Sequence, residues 1–122
     1  MKTLTATIGA IGEQAAVDFL RSNGFYIRER NWRNGRYEID IIAEKWGEIH
    51  FVEVKSRKAG GWSTPEMAFT RQKFDALRHA ATAYLGMIAY HGEHQFDLIA
   101  IEMLEMKVVE LRYIEKAMQS SW

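Results

Sequence analysis

Cysteine is absent from the 122 residues, which excludes a disulfide framework, thiol catalysis and thiolate zinc sites and fits a reducing compartment. Proline occurs once, and with no low-complexity tract a collagen-like or disordered chain is excluded too. No apolar run approaches the roughly 20 residues that span a bilayer, and Met1 to Thr7 lacks the apolar stretch of a secretory signal. The expectation is a cytoplasmic protein with no membrane contact. Net charge is also missing: 16 basic and 16 acidic side chains cancel, which argues against a general polyelectrolyte binder. What is present is a chain 48% hydrophobic and 26% charged. That is the composition and size of one ordinary globular domain, so residues 1–122 are expected to fold round a single core.

The cancelled charge hides a pattern. Residues 1–37 carry six Lys/Arg against three Asp/Glu and residues 71–92 three against one, whereas residues 38–70 carry four against six and 93–122 three against six. Basic segments therefore flank the acidic stretch that holds Asp40 and Glu53, and a local basic rim is compatible with zero net charge. The simpler account of Arg28, Arg30, Arg33 and Arg36 is that they solubilise one strand edge and its loop.

Hydrophobic spacing predicts a helix over 9–23, with Ile11, Ala15, Ala16, Phe19 and Leu20 on one side and Asn23-Gly24 as its stop. Strands are expected over 25–32, 37–44 and 48–56, the last two forming a hairpin round Lys45-Trp46-Gly47. Thr64-Pro65-Glu66 announces a second helix running to about Gly86, with a break near Phe69-Thr70. Two strands follow, 95–103 and 107–114, and the last residues form a short helix or fray. The order αβββαββ has too few helices for a doubly wound fold, so the expected architecture is α/β, a mixed central sheet flanked by helices.

In Ile39-Asp40-Ile41-Ile42 and Phe51-Val52-Glu53-Val54-Lys55 the neighbours are apolar on both faces, as in interior strands covered on both sides. An ionised group there costs several kcal/mol unless it is paired or metal-bound. Glu53 and Lys55, two apart, point to one face. With Trp46-Gly47 as a two-residue turn, Lys45 opposes Glu48, and counting back sets Asp40 opposite Glu53 and Glu38 opposite Lys55, all on that face. Opposed carboxylates at that spacing suit one hard cation, Mg2+ or Mn2+, which keeps waters and awaits phosphate oxygens. The chemistry suggested is phosphodiester hydrolysis, with Asp40 and Glu53 as ligands and Lys55 orienting water or stabilising negative charge. The competing account is an exposed Glu53–Lys55 ion pair on an alternating strand.

The run Gly9-x-x-Gly12-Glu13-x-x-Ala16, the stretch Arg30-Asn31-Trp32-Arg33, Glu38-Ile39-Asp40-Ile41-Ile42-Ala43, Phe51-Val52-Glu53-Val54-Lys55-Ser56-Arg57, Lys73 and Phe96-Asp97 occur in order. Together they resemble the YraN-like family of uncharacterised endonuclease-like proteins, over Gly9 to about Ile101. That family is similar to archaeal Holliday-junction resolvases and to the restriction-endonuclease-like superfamily. The resemblance implies an αβββαβ core with an extra C-terminal strand, one endonuclease-like domain, and a site in which Asp40 and Glu53 match the metal-binding acids, Lys55 the lysine and Glu13 the acid of the first helix. Tyr37 stands where the family usually has glycine, and Ile39 where the superfamily often has proline. Neither departure removes a ligand.

Round such a site, Arg33, Arg36, Arg57, Lys58, Arg71 and Lys73 are candidates for phosphate contact, and Trp32 and Trp62 for stacking on unpaired bases, although packing is the better account of Trp32. Gly60-Gly61-Trp62 reads as a loop able to order on substrate. His91 and His94 lack a third zinc ligand and read as a solvated loop. The function expected is a Mg2+- or Mn2+-dependent endonuclease acting on branched or partly single-stranded DNA, as a homodimer where both strands are cut. The alternative is a non-catalytic nucleic-acid-binding or adaptor module on the same fold.

Overall fold

A computed structural model describes residues 4–117. Helix α1 (Leu4–Ser22) leads into strands β1 (Tyr26–Asn34), β2 (Tyr37–Lys45) and β3 (Glu48–Lys58). A 3-10 turn (Pro65–Ala68) and helix α2 (Arg71–Met87) then cross to β4 (His94–Leu104) and β5 (Lys107–Ile114). The strands form one five-stranded mixed sheet in chain order, every neighbouring pair antiparallel except β3 and β4. This is the expected α/β architecture, an αβββαβ core with an extra C-terminal strand. The residues after 117, where a short helix or fraying is expected, lie outside the described residues. No described helix is long and apolar enough to cross a membrane.

The core lies in two clusters, one under each helix. Ala16, Val17 and Leu20 of α1 pack on Ile41, Val52, Ile99 and Ile101, while Phe74, Leu77 and Tyr84 of α2 pack on Ile42, Phe51 and Phe96. Burying one such Leu or Phe contributes about 1.5–3 kcal/mol. α1 begins before the expected Gly9 and ends as expected, Asn23 Nδ2 donating to the Phe19 carbonyl at 2.8 Å before Gly24 turns at φ +87°. At Gly12 an added Cβ would fall on Ser56 Oγ of β3. The bare backbone there lets α1 lie close enough to bring its next residue, Glu13, to the sheet.

The β2–β3 hairpin turns on Trp46 (φ 53°) and Gly47 (φ 77°), both left-handed, the condition for a tight two-residue turn that matches strand twist. It fixes Lys45 opposite Glu48, as counted from the sequence. The expected second helix is divided. Pro65 opens only the short 3-10 turn, buried Phe69 leaves helical geometry at ψ 79°, and α2 starts afresh where Thr70 Oγ1 accepts from Lys73 N–H at 3.3 Å. The break foreseen at Phe69-Thr70 is therefore present.

Candidate active site

The β2–β3 ladder runs from Lys45–Glu48 to Ile41–Val52 and ends there. The next pair in that register would be Asp40 and Glu53. Instead Asp40 Oδ2 accepts a hydrogen bond from the Val54 backbone N–H at 2.9 Å, so a carboxylate stands where the ladder would place a carbonyl. Alternation fails at the same point: Ile39 packs under α2 and Ile41 under α1, although only Asp40 separates them. Asp40 consequently occupies the gap between two parting strands and borders cavities on both sides of the sheet. The four polar residues thus do not simply share one face. Glu38, Asp40 and Lys55 reach both cavities, and Glu53 only the one under α2.

Glu53 and Lys55 do pair, Nζ to Oε2 at 3.8 Å, but inside the protein: their side chains are 13% and 19% exposed. The exposed ion pair considered for them is therefore not what forms. Burial pushes the Glu53 carboxyl up to about 9, a hydrogen bond to the Asp40 carboxyl and its charge add to the rise, and Lys55 and Lys73 oppose it. A carboxyl so enclosed beside a second one is costly to ionise, and a cation between the two would relieve that cost. The donor set is all oxygen and the surroundings are basic, which fits Mg2+ or Mn2+ held by Asp40 and Glu53, with water or phosphate completing the shell. Among the described residues no three His, Asp or Glu side chains form a ready-made cage.

Glu13 borders the α1-side cavity with Asp40 and Lys55. Its Oε1 accepts from Asn31 Nδ2 at 3.0 Å and from Arg30 Nε at 3.3 Å. Asn31 takes a left-handed φ of 51° within β1, a conformation asparagine tolerates better than most residues.

The basic candidates divide. Lys73 borders the cavity that holds Glu53, and Arg36 joins it there while donating to the Tyr37 hydroxyl at 3.1 Å. Arg57 lines the α1-side cavity and donates to the Ser56 carbonyl. Arg33, largely exposed, pairs with Glu38 at 2.9 Å. Lys58 flanks an apolar hollow with Ile8, Met103 and Met106, and Arg71 lies in a separate groove along α2, 3.9 Å from Asp75. Tyr37 stacks on His79 of α2 with ring centres 5.3 Å apart. Trp32 packs edge-on against Tyr84 at 5.2 Å and serves the core, whereas Trp62 is fully exposed on its loop.

Sequence reasoning gave no role to a second polar cluster, near the hairpin turn. Asp97, fully buried, accepts from the Tyr113 hydroxyl at 2.6 Å, Gln95 Nε2 at 2.9 Å and Lys116 N–H at 3.1 Å, and meets His50 Nδ1 at 2.7 Å. Burial alone would raise its carboxyl, but these hydrogen bonds prevail and hold it below the usual range. The signal that exposed Asp40 and Glu53 was present here too: Asp97 sits in Phe96-Asp97-Leu98-Ile99 and His50 in Ile49-His50-Phe51, polar groups within apolar interior strands.

The model of the uncharacterised protein family UPF0102 matches residues 12–101. A UPF0102 protein of Bacteroides fragilis is 40% identical over 94 residues, 77% of this chain and 78% of its own length. One from Alkaliphilus oremlandii is 39% identical over 114 residues, 90% of this chain and 96% of its own. Another, from Lawsonia intracellularis, is 46% identical over 78 residues, 64% of this chain and 59% of its own. These names carry no activity.

Proposed function

This chain belongs to the uncharacterised protein family UPF0102, and we propose from its site that it is a divalent-metal-dependent endonuclease hydrolysing DNA phosphodiester bonds. The observation that carries this reading is that Asp40 and Glu53, on neighbouring interior strands, line one cavity where the β2–β3 ladder ends, with Lys55 and Lys73 beside them. Asp40 and Glu53 would hold Mg2+ or Mn2+. When bound, the ion supplies a nucleophile at neutral pH and neutralises charge on the scissile phosphate. The Val54 N–H fixes the Asp40 carboxylate, which keeps that ligand from swinging away. Lys55 provides a point charge for the attacking water or the phosphate oxygens, and its contact with Glu53 sets where its ammonium lies. Glu13, steadied by Asn31 and Arg30, faces Asp40 across the second cavity, where it would act through water.

Lys73, Arg36 and Arg57 lie close enough to these cavities to hold flanking phosphates, and exposed Trp62 offers a ring for an unpaired base. That combination favours branched or partly single-stranded DNA. Cutting both strands of such a substrate calls for two copies of the chain. The test is cleavage of junction, flap and single-stranded DNA with manganese. Asp40→Ala and Lys55→Ala are each expected to reduce the rate by about 100-fold or more. Cleavage unchanged in both variants would overturn the reading. DNA binding without cleavage, and without a manganese response at Asp40 and Glu53, would favour a non-catalytic nucleic-acid-binding or adaptor module instead.

A further inference from the structure

We propose that the cavity at the hairpin end of the sheet, beside the C-terminal turn of α1, is a second site that binds a guanidinium compound. It measures about 340 Å³ and has the rings of Phe19, Phe25, Trp46 and Tyr113 in its walls. None of the residues that carry the proposed nuclease chemistry lines it.

His50 lies against this cavity and is only 4% exposed. Its Nδ1 meets a carboxylate that already accepts three other donors, so the proton in that contact belongs to the imidazole. Its other ring nitrogen, Nε2, has no hydrogen-bond partner among the described residues. The neighbouring polar groups are in the same condition. Gln95 Nε2 is engaged by Asp97 and Glu115, Asn23 Nδ2 by the Phe19 carbonyl, and the Tyr113 hydroxyl by Asp97. What they leave unengaged is acceptor oxygen on Gln95 and Asn23, joined by the carboxylates of Glu48 and Glu115 at the mouth.

At the rim Lys45 Nζ lies 5.0 Å from the centre of the Phe25 ring and 4.6 Å from that of Trp46, whose indole N–H is the other donor there. The chain thus already places a cation on these aromatic faces. A ligand matching the cavity must be positive, rich in N–H and flat enough to lie on rings. A guanidinium meets all three conditions, with five donors in a planar, weakly hydrated fork. An anion would face Glu48 and Glu115, and an apolar ligand would leave the His50 nitrogen buried and unpaired.

Such a group can come from a free small molecule or from an arginine side chain of another protein, and two probes separate them. The 122-residue chain is titrated with agmatine and with a glycine-flanked single-arginine peptide, following the His50 imidazole and Trp46 indole resonances. Saturable shifts at both residues are expected, with Asp40→Asn leaving the affinity unchanged, since the two sites are separate. Tighter binding of agmatine would indicate a free ligand, and tighter binding of the peptide a protein side chain. Glu48→Gln and Glu115→Gln, both at exposed positions, are each expected to weaken binding by about tenfold. Failure of both probes to saturate at millimolar concentration would overturn the proposal. So would an equal response to acetate, or an affinity that survives the double substitution of Glu48 and Glu115.

Discussion

The two ends of the sheet bury carboxyl groups under opposite conditions. Near the hairpin turn Asp97 is enclosed more completely than Glu53, yet it is held below the usual carboxylate range, because four hydrogen-bonding partners surround it. At the parting of β2 and β3, burial pushes Glu53 up to about 9, the neighbouring Asp40 carboxyl adds to the rise, and Lys55 and Lys73 only partly oppose it. Burial raises both carboxyls, and the partners supplied with each decide whether that rise stands or is overcome. One end is electrostatically complete and serves the fold. The other is incomplete, which is what a site that awaits a cation requires.

Removing the acids should separate the two ends most sharply. Asp97→Ala leaves His50, Tyr113 and Gln95 without their common acceptor and is expected to cost about 3–5 kcal/mol in urea unfolding. Glu53→Gln, which removes the need to take up a proton on folding at pH 8, should instead stabilise the metal-free chain by about 1–2 kcal/mol. Equal losses in the two variants would erase the contrast.

Stability against pH should show the same contrast with opposite signs. The Glu53 carboxyl titrates near 9 when folded and near 4.3 when unfolded. Its native-state proton therefore stabilises the fold in acid, and that contribution is lost as pH rises towards 9, at up to about 1.4 kcal/mol per pH unit. Asp97, lowered on folding, contributes above its unfolded value and loses that contribution as pH falls through its folded one. Urea midpoints should decline at both extremes, with Glu53→Gln flattening the alkaline side alone. The smallest effect is expected at the rim: Arg33→Ala, breaking an exposed pair with Glu38, should change stability by no more than about 0.5 kcal/mol while lowering DNA affinity in a salt-dependent way.

Much of this was legible in the sequence, for local reasons. Gly47 after Trp46 fixes a two-residue turn, and a two-residue turn fixes the register from Lys45 to Ile41. Acids among Ile, Val and Phe mark where interior strands carry something other than packing. The ending of the ladder was not legible, since it depends on Asp40 reaching the Val54 N–H in three dimensions rather than on spacing. The break near Phe69-Thr70 was legible, but not that the stretch Pro65 opens stays a short 3-10 turn, with buried Phe69 leaving helical geometry behind it. Four residues of the Asp97 network, His50, Gln95, Tyr113 and Lys116, are scattered over three strands and a turn, and only the folded sheet brings them together.

The central claim is that Asp40 and Glu53 together hold one divalent ion. Calorimetric titration of the metal-free chain with manganese at pH 7.5 tests it directly. Saturable binding of one ion per chain is expected, abolished in Asp40→Asn and in Glu53→Gln while both variants remain folded. Absence of saturable binding, or binding that persists in both variants, would contradict it.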